Sequence, residues 1–169
     1  MRVEIKEVDA AAVVELLAEM REVDRRELEV SNPKLSVEFV VELSVLSSDV
    51  CYAVYGGGRL FCLCGAGMQS MLSGKAVIWM IGTKAVEESP LVFLRNSRKL
   101  LGMIRAAMPR ARVFVNAVWV RNVLAVRWLE WLGAWFTVEV MMGDELFQVF
   151  EFERESRSAS APAELKGGG

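Results

Sequence analysis

Two carboxylates that stand three residues apart, Asp24 and Glu27, are the side chains in this chain best spaced to act as an acid–base pair. On a helix, positions i and i+3 share one face, so the two groups would lie side by side. A positioned carboxylate can take up or release a proton during a reaction. The adjacent Arg21, Arg25 and Arg26 favour the alternative, which is local ion pairing.

Few other groups in the chain could do chemistry. The sequence has no histidine, which removes the commonest general base. Cys51, Cys62 and Cys64 are too few for a four-ligand zinc site, so we predict core residues and no metal. Glu87 and Glu88 precede a predicted helix and are expected to complement the dipole at its N-terminus.

Composition limits the class of protein. The chain has 169 residues, is 53% hydrophobic and has a mean hydropathy of +0.30. No apolar run approaches the roughly 20 residues of a membrane helix, and the N-terminus lacks a secretory signal pattern. We therefore expect an intracellular protein with no membrane span, whose surplus apolar surface is buried internally or against a partner.

Charge is distributed unevenly. Residues 1–50 contain twelve acidic and six basic side chains, whereas residues 89–129 contain eight basic side chains and no acidic one. This segregation predicts a basic face, including Arg95, Arg98 and Lys99, that could contact nucleic acid or an acidic protein surface. The alternative is a solvated helix face turned toward the acidic half of the same chain.

Hydrophobic periodicity and turn signals predict an α/β fold in the order β-α-α-β-β-β-α-β-α-β-β, a mixed central sheet of about seven strands flanked by about four helices. Ser89 as N-cap and Pro90 as first residue begin a helix of about 18 residues that ends near Pro109. Residues 1–153 are expected to form the domain, and residues 154–169 a polar tail without a core.

The helix that follows Ser36 is predicted to be amphipathic. Ser36 is a favourable N-cap, and the spacing of Phe39, Val40, Leu43 and Leu46 predicts that all four face inward.

Residues 113–136, VFVNAVWVRNVLAVRWLEWLGAWF, indicate a strand, an asparagine, a short helix that ends at a glycine, and an aromatic strand. The spacing of Asn122, Ala125, Leu132 and Gly133 resembles the closing helix of the GNAT family of N-acetyltransferases, and the order of elements is similar to that family's. The resemblance implies a GNAT-like fold with Asn122 beside a coenzyme A site.

Three departures from that family stand out. Leu129 occupies the position where a tyrosine often protonates the departing thiolate. No glycine lies between Gly82 and Gly102, where the family binds pyrophosphate on a glycine-rich turn. The strand 75–81 (KAVIWMI) has no acid to serve as the usual catalytic carboxylate. We therefore expect no cofactor and no catalytic residue. The alternative is acetyl-CoA bound at a non-standard phosphate site formed by Ser89, Arg95, Arg98 and Asn122.

A narrower resemblance covers most of the chain. It is to a GNAT-like protein of short-tailed bacteriophages (podoviruses), described as an internal virion protein or an acetyltransferase. The matching residues are Arg21, Asp24 and Glu27; Ser44, Ser47 and Ser48; Gly82 and Thr83; Phe93, Leu94, Ser97 and Arg98; and Asn122, Trp131, Leu132 and Gly133. This resemblance implies a structural protein of the virion, present in the host cytoplasm before assembly, with other virion proteins or further copies of itself as partners.

Apolar residues at predicted surface positions support a role in protein–protein interaction. The helix 121–132 is apolar over a wider arc than packing on one sheet requires, with Trp128 and Trp131 inside that arc. Tryptophan is enriched at interface hot spots. Met141 and Met142, beside a predicted hairpin turn, are further interface candidates. Coverage by neighbouring loops or the closing hairpin is the alternative.

Overall fold

A seven-stranded mixed sheet runs through the computed structural model, which describes residues 1–154. The strands are β1 (Val3–Glu7), β2 (Val50–Gly56), β3 (Arg59–Ser70), β4 (Lys75–Gly82), β5 (Val113–Trp119), β6 (Trp135–Met142) and β7 (Glu145–Glu153). The helices are α1 (Ala10–Glu19), α2 (Glu22–Ser31), α3 (Val37–Leu46), α4 (Lys84–Glu88), α5 (Pro90–Ala107) and α6 (Val123–Leu132). The predicted mixed sheet is confirmed. The predicted tail, apart from Arg154, lies outside the described residues.

The helix count differs from the prediction of about four, because the described part of the chain has six. The residues after Arg21 continue as α2, and the turn between β4 and α5 contains the short helix α4. Thr83 caps α4, since its side-chain oxygen accepts a hydrogen bond from the Ala85 N–H at 3.3 Å. The two additional helices both border the end of β4.

The strands follow the order β1-β2-β3-β4-β5-β7-β6, and every neighbouring pair is antiparallel except β4 and β5. The parallel ladder joins only Lys75–Val77 to Val113–Val115. Just beyond it, Asn116 Nδ2 donates to the carbonyl oxygen of Ile78 at 2.7 Å. The carboxyl-terminal halves of β4 and β5 therefore diverge, and we call the space between them the strand gap.

Helices cover both faces of the sheet. On one face, α5 and α6 bury Phe93, Leu101 and Leu129 against a core that includes Phe114 and Phe150. On the other face, α1 and α3 pack on a second cluster of buried residues, which is Ala12, Leu16, Met20, Val37, Val41, Ala53, Leu60, Leu63 and Ile81. The α5–α6 face and the α1–α3 face thus point in opposite directions.

The predicted inward face of α3 is wrong for three of its four residues. Val40 is buried as predicted, but Phe39, Leu43 and Leu46 are 49%, 47% and 83% exposed. Val37 and Val41 face the core instead. The sequence pattern was ambiguous because α3 is apolar on both sides, so periodicity alone could not choose the buried one.

Helices α5 and α6 begin and end within about two residues of their predicted bounds. Helix α5 has 18 residues, with Ser89 at its N-cap position and Pro90 first, although the Ser89 side chain makes no capping hydrogen bond. Helix α6 begins after Asn122, whose side chain accepts from the Ala125 N–H. It ends at Gly133, where φ is 92°, a backbone conformation that favours glycine.

A methyl group at Gly67 should destabilise the fold, because an added Cβ would lie 2.2 Å from the backbone carbonyl oxygen of Ser47. We expect Gly67→Ala to lower the free energy of unfolding by about 1–3 kcal/mol. Gly102→Ala is the matched control, since a Cβ there meets nothing within 4 Å. In the α5 interior it should raise stability by roughly 0.5–1 kcal/mol. Urea unfolding measures both, and a Gly67→Ala variant as stable as wild type would contradict the packing of α3 on β3.

Candidate site in the strand gap

Four polar side chains meet where β4 and β5 diverge. Arg21 immediately precedes α2, Asp24 and Glu27 lie on its first two turns, and Asn122 precedes α6. Arg21 and Asn122 are 5% and 3% exposed. We call these four residues the gap cluster. They are separated by up to 101 positions in the sequence.

The two carboxylates bind backbone N–H groups at the ends of the diverging strands. Asp24 Oδ2 accepts from the N–H of Gly82, the last residue of β4, at 2.7 Å. Glu27 Oε1 accepts from the N–H of Trp119, the last residue of β5, at 3.1 Å. A buried N–H without a partner costs free energy, and hydrogen bonds to charged acceptors are the stronger ones. Helix α2 therefore supplies partners where the β4–β5 ladder does not.

Asn122 joins the two carboxylates and the start of α6. Its Nδ2 donates to Glu27 Oε2 at 2.7 Å and approaches Asp24 Oδ1 at 3.5 Å. Its Oδ1 accepts from the Ala125 N–H at 3.4 Å and lies 3.5 Å from Arg21 Nη2. Because both ends of this amide have hydrogen-bond partners, the Asn122 side chain is fixed within the gap cluster.

Arg21 supplies the positive charge of the cluster. Its Nη2 lies 3.2 Å from Asp24 Oδ1, and its backbone N–H donates to the Gly82 carbonyl oxygen at 3.0 Å. Its Nε is 3.5 Å from Glu87 Oε1, where alignment is too poor for a hydrogen bond, so this contact is an ion pair only. One guanidinium thus lies beside two partly buried carboxylates, with the exposed Glu87 at the edge.

Burial favours the neutral form of both acids. It raises the pKa of Asp24, against the opposing effects of Arg21 and the Gly82 N–H. Burial also raises the pKa of Glu27 to about 6, although its hydrogen bonds from Asn122 and Trp119 favour the charged form. Glu27 is therefore mostly ionised at neutral pH but takes up a proton at a pH only slightly below neutral.

Strand β4 has no acid, as its sequence indicates, but the fold places two carboxylates at the ends of β4 and β5. The acids come from α2, not from β4, and Asp24 and Glu27 do share a helix face as their spacing predicted. Arg21 does pair with Asp24, so the ion-pairing alternative also holds in part. Sequence reasoning missed the partners, Gly82 and Trp119, because only the fold brings these distant positions together.

The residues predicted for a non-standard phosphate site are brought together only in part. Ser89, Arg95 and Arg98 lie along α5, whereas Asn122 is held in the gap cluster. At the helix start, the Ser89 N–H donates to Ala85 O at 3.0 Å, and Pro90 has no N–H to offer. Few free N–H groups remain there for an anion, so the usual backbone cradle for a pyrophosphate is not formed. The groups left for the phosphates of a coenzyme are therefore the side chains of Ser89, Arg95 and Arg98.

Two tryptophans bridge α5 and α6. Trp128 packs on Phe93 with ring centroids 5.4 Å apart, and its Nε1 donates to Ser97 Oγ at 3.1 Å. Trp131 stacks under the Arg98 guanidinium, 4.3 Å from the ring centroid. The cavity between these helices and the sheet measures about 60 Å³. Pockets for cofactors commonly measure about 300–1,000 Å³, so this cavity is too small to enclose one.

The predicted interface residues have different environments. Trp131 and Met141 are 44% and 62% exposed. Lys99 is exposed on α5, Met142 is half-buried, and Trp128 points inward as described above.

Within residues 1–154, no cluster of three or more His, Cys, Asp or Glu side chains could hold a metal ion. No helix in that part of the chain is long and apolar enough to cross a membrane.

Known structures share this fold. The chain superposes on the ribosomal-protein-alanine N-acetyltransferase of Brucella melitensis with a TM-score of 0.66 and 11% identity, covering 89% of this chain and 99% of that one. For a GNAT-family acetyltransferase from Streptococcus pneumoniae the TM-score is 0.58 at 15% identity, with coverages of 90% and 99%. For a ribosomal L7/L12 alpha-N-protein acetyltransferase in complex with coenzyme A the TM-score is 0.63 at 10% identity, with coverages of 89% and 93%.

These similarities confirm the predicted GNAT-like fold, and at such low identity they establish the fold alone. Neither a protein-family model nor a curated protein sequence matches the chain.

The gap cluster should make stability fall as the pH rises. The folded pKa of Glu27, about 6, exceeds its ordinary value of 4.5. Its proton therefore contributes stability that is fully present below pH 4.5 and is lost as the pH rises through 6. A shift of this size corresponds to about 2 kcal/mol.

The measurement is urea unfolding of wild type and Glu27→Gln across this pH range. We expect the variant to become more stable relative to wild type as the pH rises, with Glu29→Gln on the exposed side of α2 as the control. If the difference in the free energy of unfolding between wild type and Glu27→Gln stays constant from pH 4 to pH 7, Glu27 has its ordinary pKa in the folded protein.

Proposed function

We propose that this chain is an acyl-coenzyme A-dependent N-acetyltransferase in which Glu27 acts as the general base. The observation that carries the proposal is the position of this carboxylate, held at the end of the strand gap with a pKa of about 6. Buried acids with raised pKa values cluster at catalytic sites. Solved structures with this fold are described as acetyltransferases, one of them in complex with coenzyme A.

Glu27 is arranged to hold a proton at a defined place. The Trp119 N–H fixes Oε1 and Asn122 Nδ2 fixes Oε2, and each oxygen keeps a further lone pair. An amine that enters the gap can therefore give its proton to Glu27, directly or through one water molecule. The Arg21 guanidinium keeps Asp24 paired, so the two neighbouring acids have different roles.

The coenzyme, when bound, would supply the acyl thioester. On the protein side, Ser89, Arg95 and Arg98 of α5 would hold its phosphates by side-chain hydrogen bonds and charge, because the backbone cradle is missing. Leu129 has no proton to give, so the proton for the departing sulfur must come from solvent or from Glu27.

Calorimetric titration with acetyl-CoA tests the binding step. We expect micromolar affinity in wild type and a loss of at least about tenfold in the Arg95→Ala/Arg98→Ala double variant, because each contact removed is charge-assisted. Arg110→Ala, an exposed arginine beyond the end of α5, is the matched control. No heat at millimolar acetyl-CoA would end the enzymatic proposal.

Turnover tests the base. With polyamines and alanine-terminated peptides as acceptors, thiol release measured with a thiol-reactive dye should fall about 10²–10⁴-fold in Glu27→Gln. Glu29→Gln should retain wild-type turnover. Equal rates in both variants would assign Glu27 a structural role only.

A second candidate is the non-catalytic virion component implied by the phage resemblance. It is supported by the small cavity between α5, α6 and the sheet, about 60 Å³, and by apolar side chains left on the surface, among them Leu46 at 83% and Trp135 at 73% exposure. This candidate expects the protein in the mass spectrum of purified phage particles and no affinity for acetyl-CoA. Its absence from such particles would remove it.

A further inference from the structure

The solvent-facing side of α3 carries an apolar stripe with an acidic border. Phe39, Leu43 and Leu46 follow a spacing of four and then three residues, which aligns them along one side of the helix. Phe39 and Leu43 keep about half of their surface exposed, at 49% and 47%, and Leu46 keeps 83%. Glu38 and Glu42 border the stripe, and Arg25 lies 3.9 Å from Glu38.

The outward side of α6 carries an apolar patch with a basic border. Val123, Leu124 and Trp131 are 50%, 67% and 44% exposed. Arg127 lies between Leu124 and Trp131 on the same side of the helix, and Arg98 from α5 stacks on Trp131. Glu130 is the single acid of this helix, so the border is basic on balance.

The two surfaces match each other in character. Each is one helix wide, each centres on three large apolar side chains, and their borders have opposite charge. A helix that is apolar on its outer side is normally covered. Charge complementarity selects the partner, since pairing α3 with α3 would bring Glu38 and Glu42 of both copies together. Pairing α6 with α6 would likewise oppose two sets of arginines.

We infer that the chain self-associates head to tail, with the α3 stripe of one copy docked on the α6 patch of the next. The α3 and α6 helices lie on opposite faces of the sheet, so one pair of copies cannot make both contacts at once. Such a heterologous contact repeats until a ring closes, or it continues as a filament. This inference does not rest on acyl transfer: neither surface includes the gap cluster, and the α6 patch shares only Arg98 with the proposed coenzyme site.

Analytical ultracentrifugation of complementary variants tests the inference. Wild type should form species larger than a dimer, and raising the salt concentration should weaken them because the borders are charged. Leu43→Asp, which disables α3, and Leu124→Asp, which disables α6, should each be monomeric. An equimolar mixture of the two should give a dimer and nothing larger, since only one productive contact remains.

Leu72→Asp is the matched control, because Leu72 is 95% exposed outside both surfaces. It should assemble like wild type, and circular dichroism of all variants checks that these exposed substitutions leave the fold intact. A monomeric wild type would overturn the inference. So would a Leu124→Asp variant that still assembles, which would indicate α3–α3 pairing, or a mixture that remains monomeric.

Discussion

The structure depends on how two diverging strands satisfy the backbone at their ends. Strands β4 and β5 pair over only a short parallel ladder, and then their amide groups need other partners. Asp24 and Glu27, one helical turn apart on α2, bind the N–H groups of Gly82 and Trp119. These two hydrogen bonds join α2 to the strand ends on both sides of the gap, and Arg21 and Asn122 contact the same two carboxylates.

The same arrangement creates the chemistry of the site. Two carboxylates taken out of water beside one guanidinium cannot both ionise easily, and burial therefore raises their pKa values. Asn122 ties Glu27 to the start of α6, so the acid, the strand ends and the last helix form one network. The hydrogen bond that satisfies the Trp119 N–H thus comes from Glu27, a carboxylate whose pKa of about 6 lies near neutral pH.

The chain keeps the GNAT-like fold but differs from the GNAT family where that family binds the phosphates of its coenzyme. The GNAT-like architecture is retained over nine-tenths of its length in comparison with known acetyltransferases. The phosphate-binding turn is replaced by α4 and a proline, and tryptophans occupy the groove between α5 and α6. Because a scaffold of this kind can host several functions, the site residues and surfaces carry the functional argument.

The sequence by itself determined the mixed sheet, the 18-residue length of α5 and the glycine end of α6, because periodicity, caps and turn residues act locally. It also indicated that Asp24 and Glu27 share a helix face. Only the tertiary structure decided which side of α3 is buried, since that helix is apolar on both. It alone joined α2 to the ends of β4 and β5, because those contacts link positions 58 and 92 residues apart that no local pattern relates.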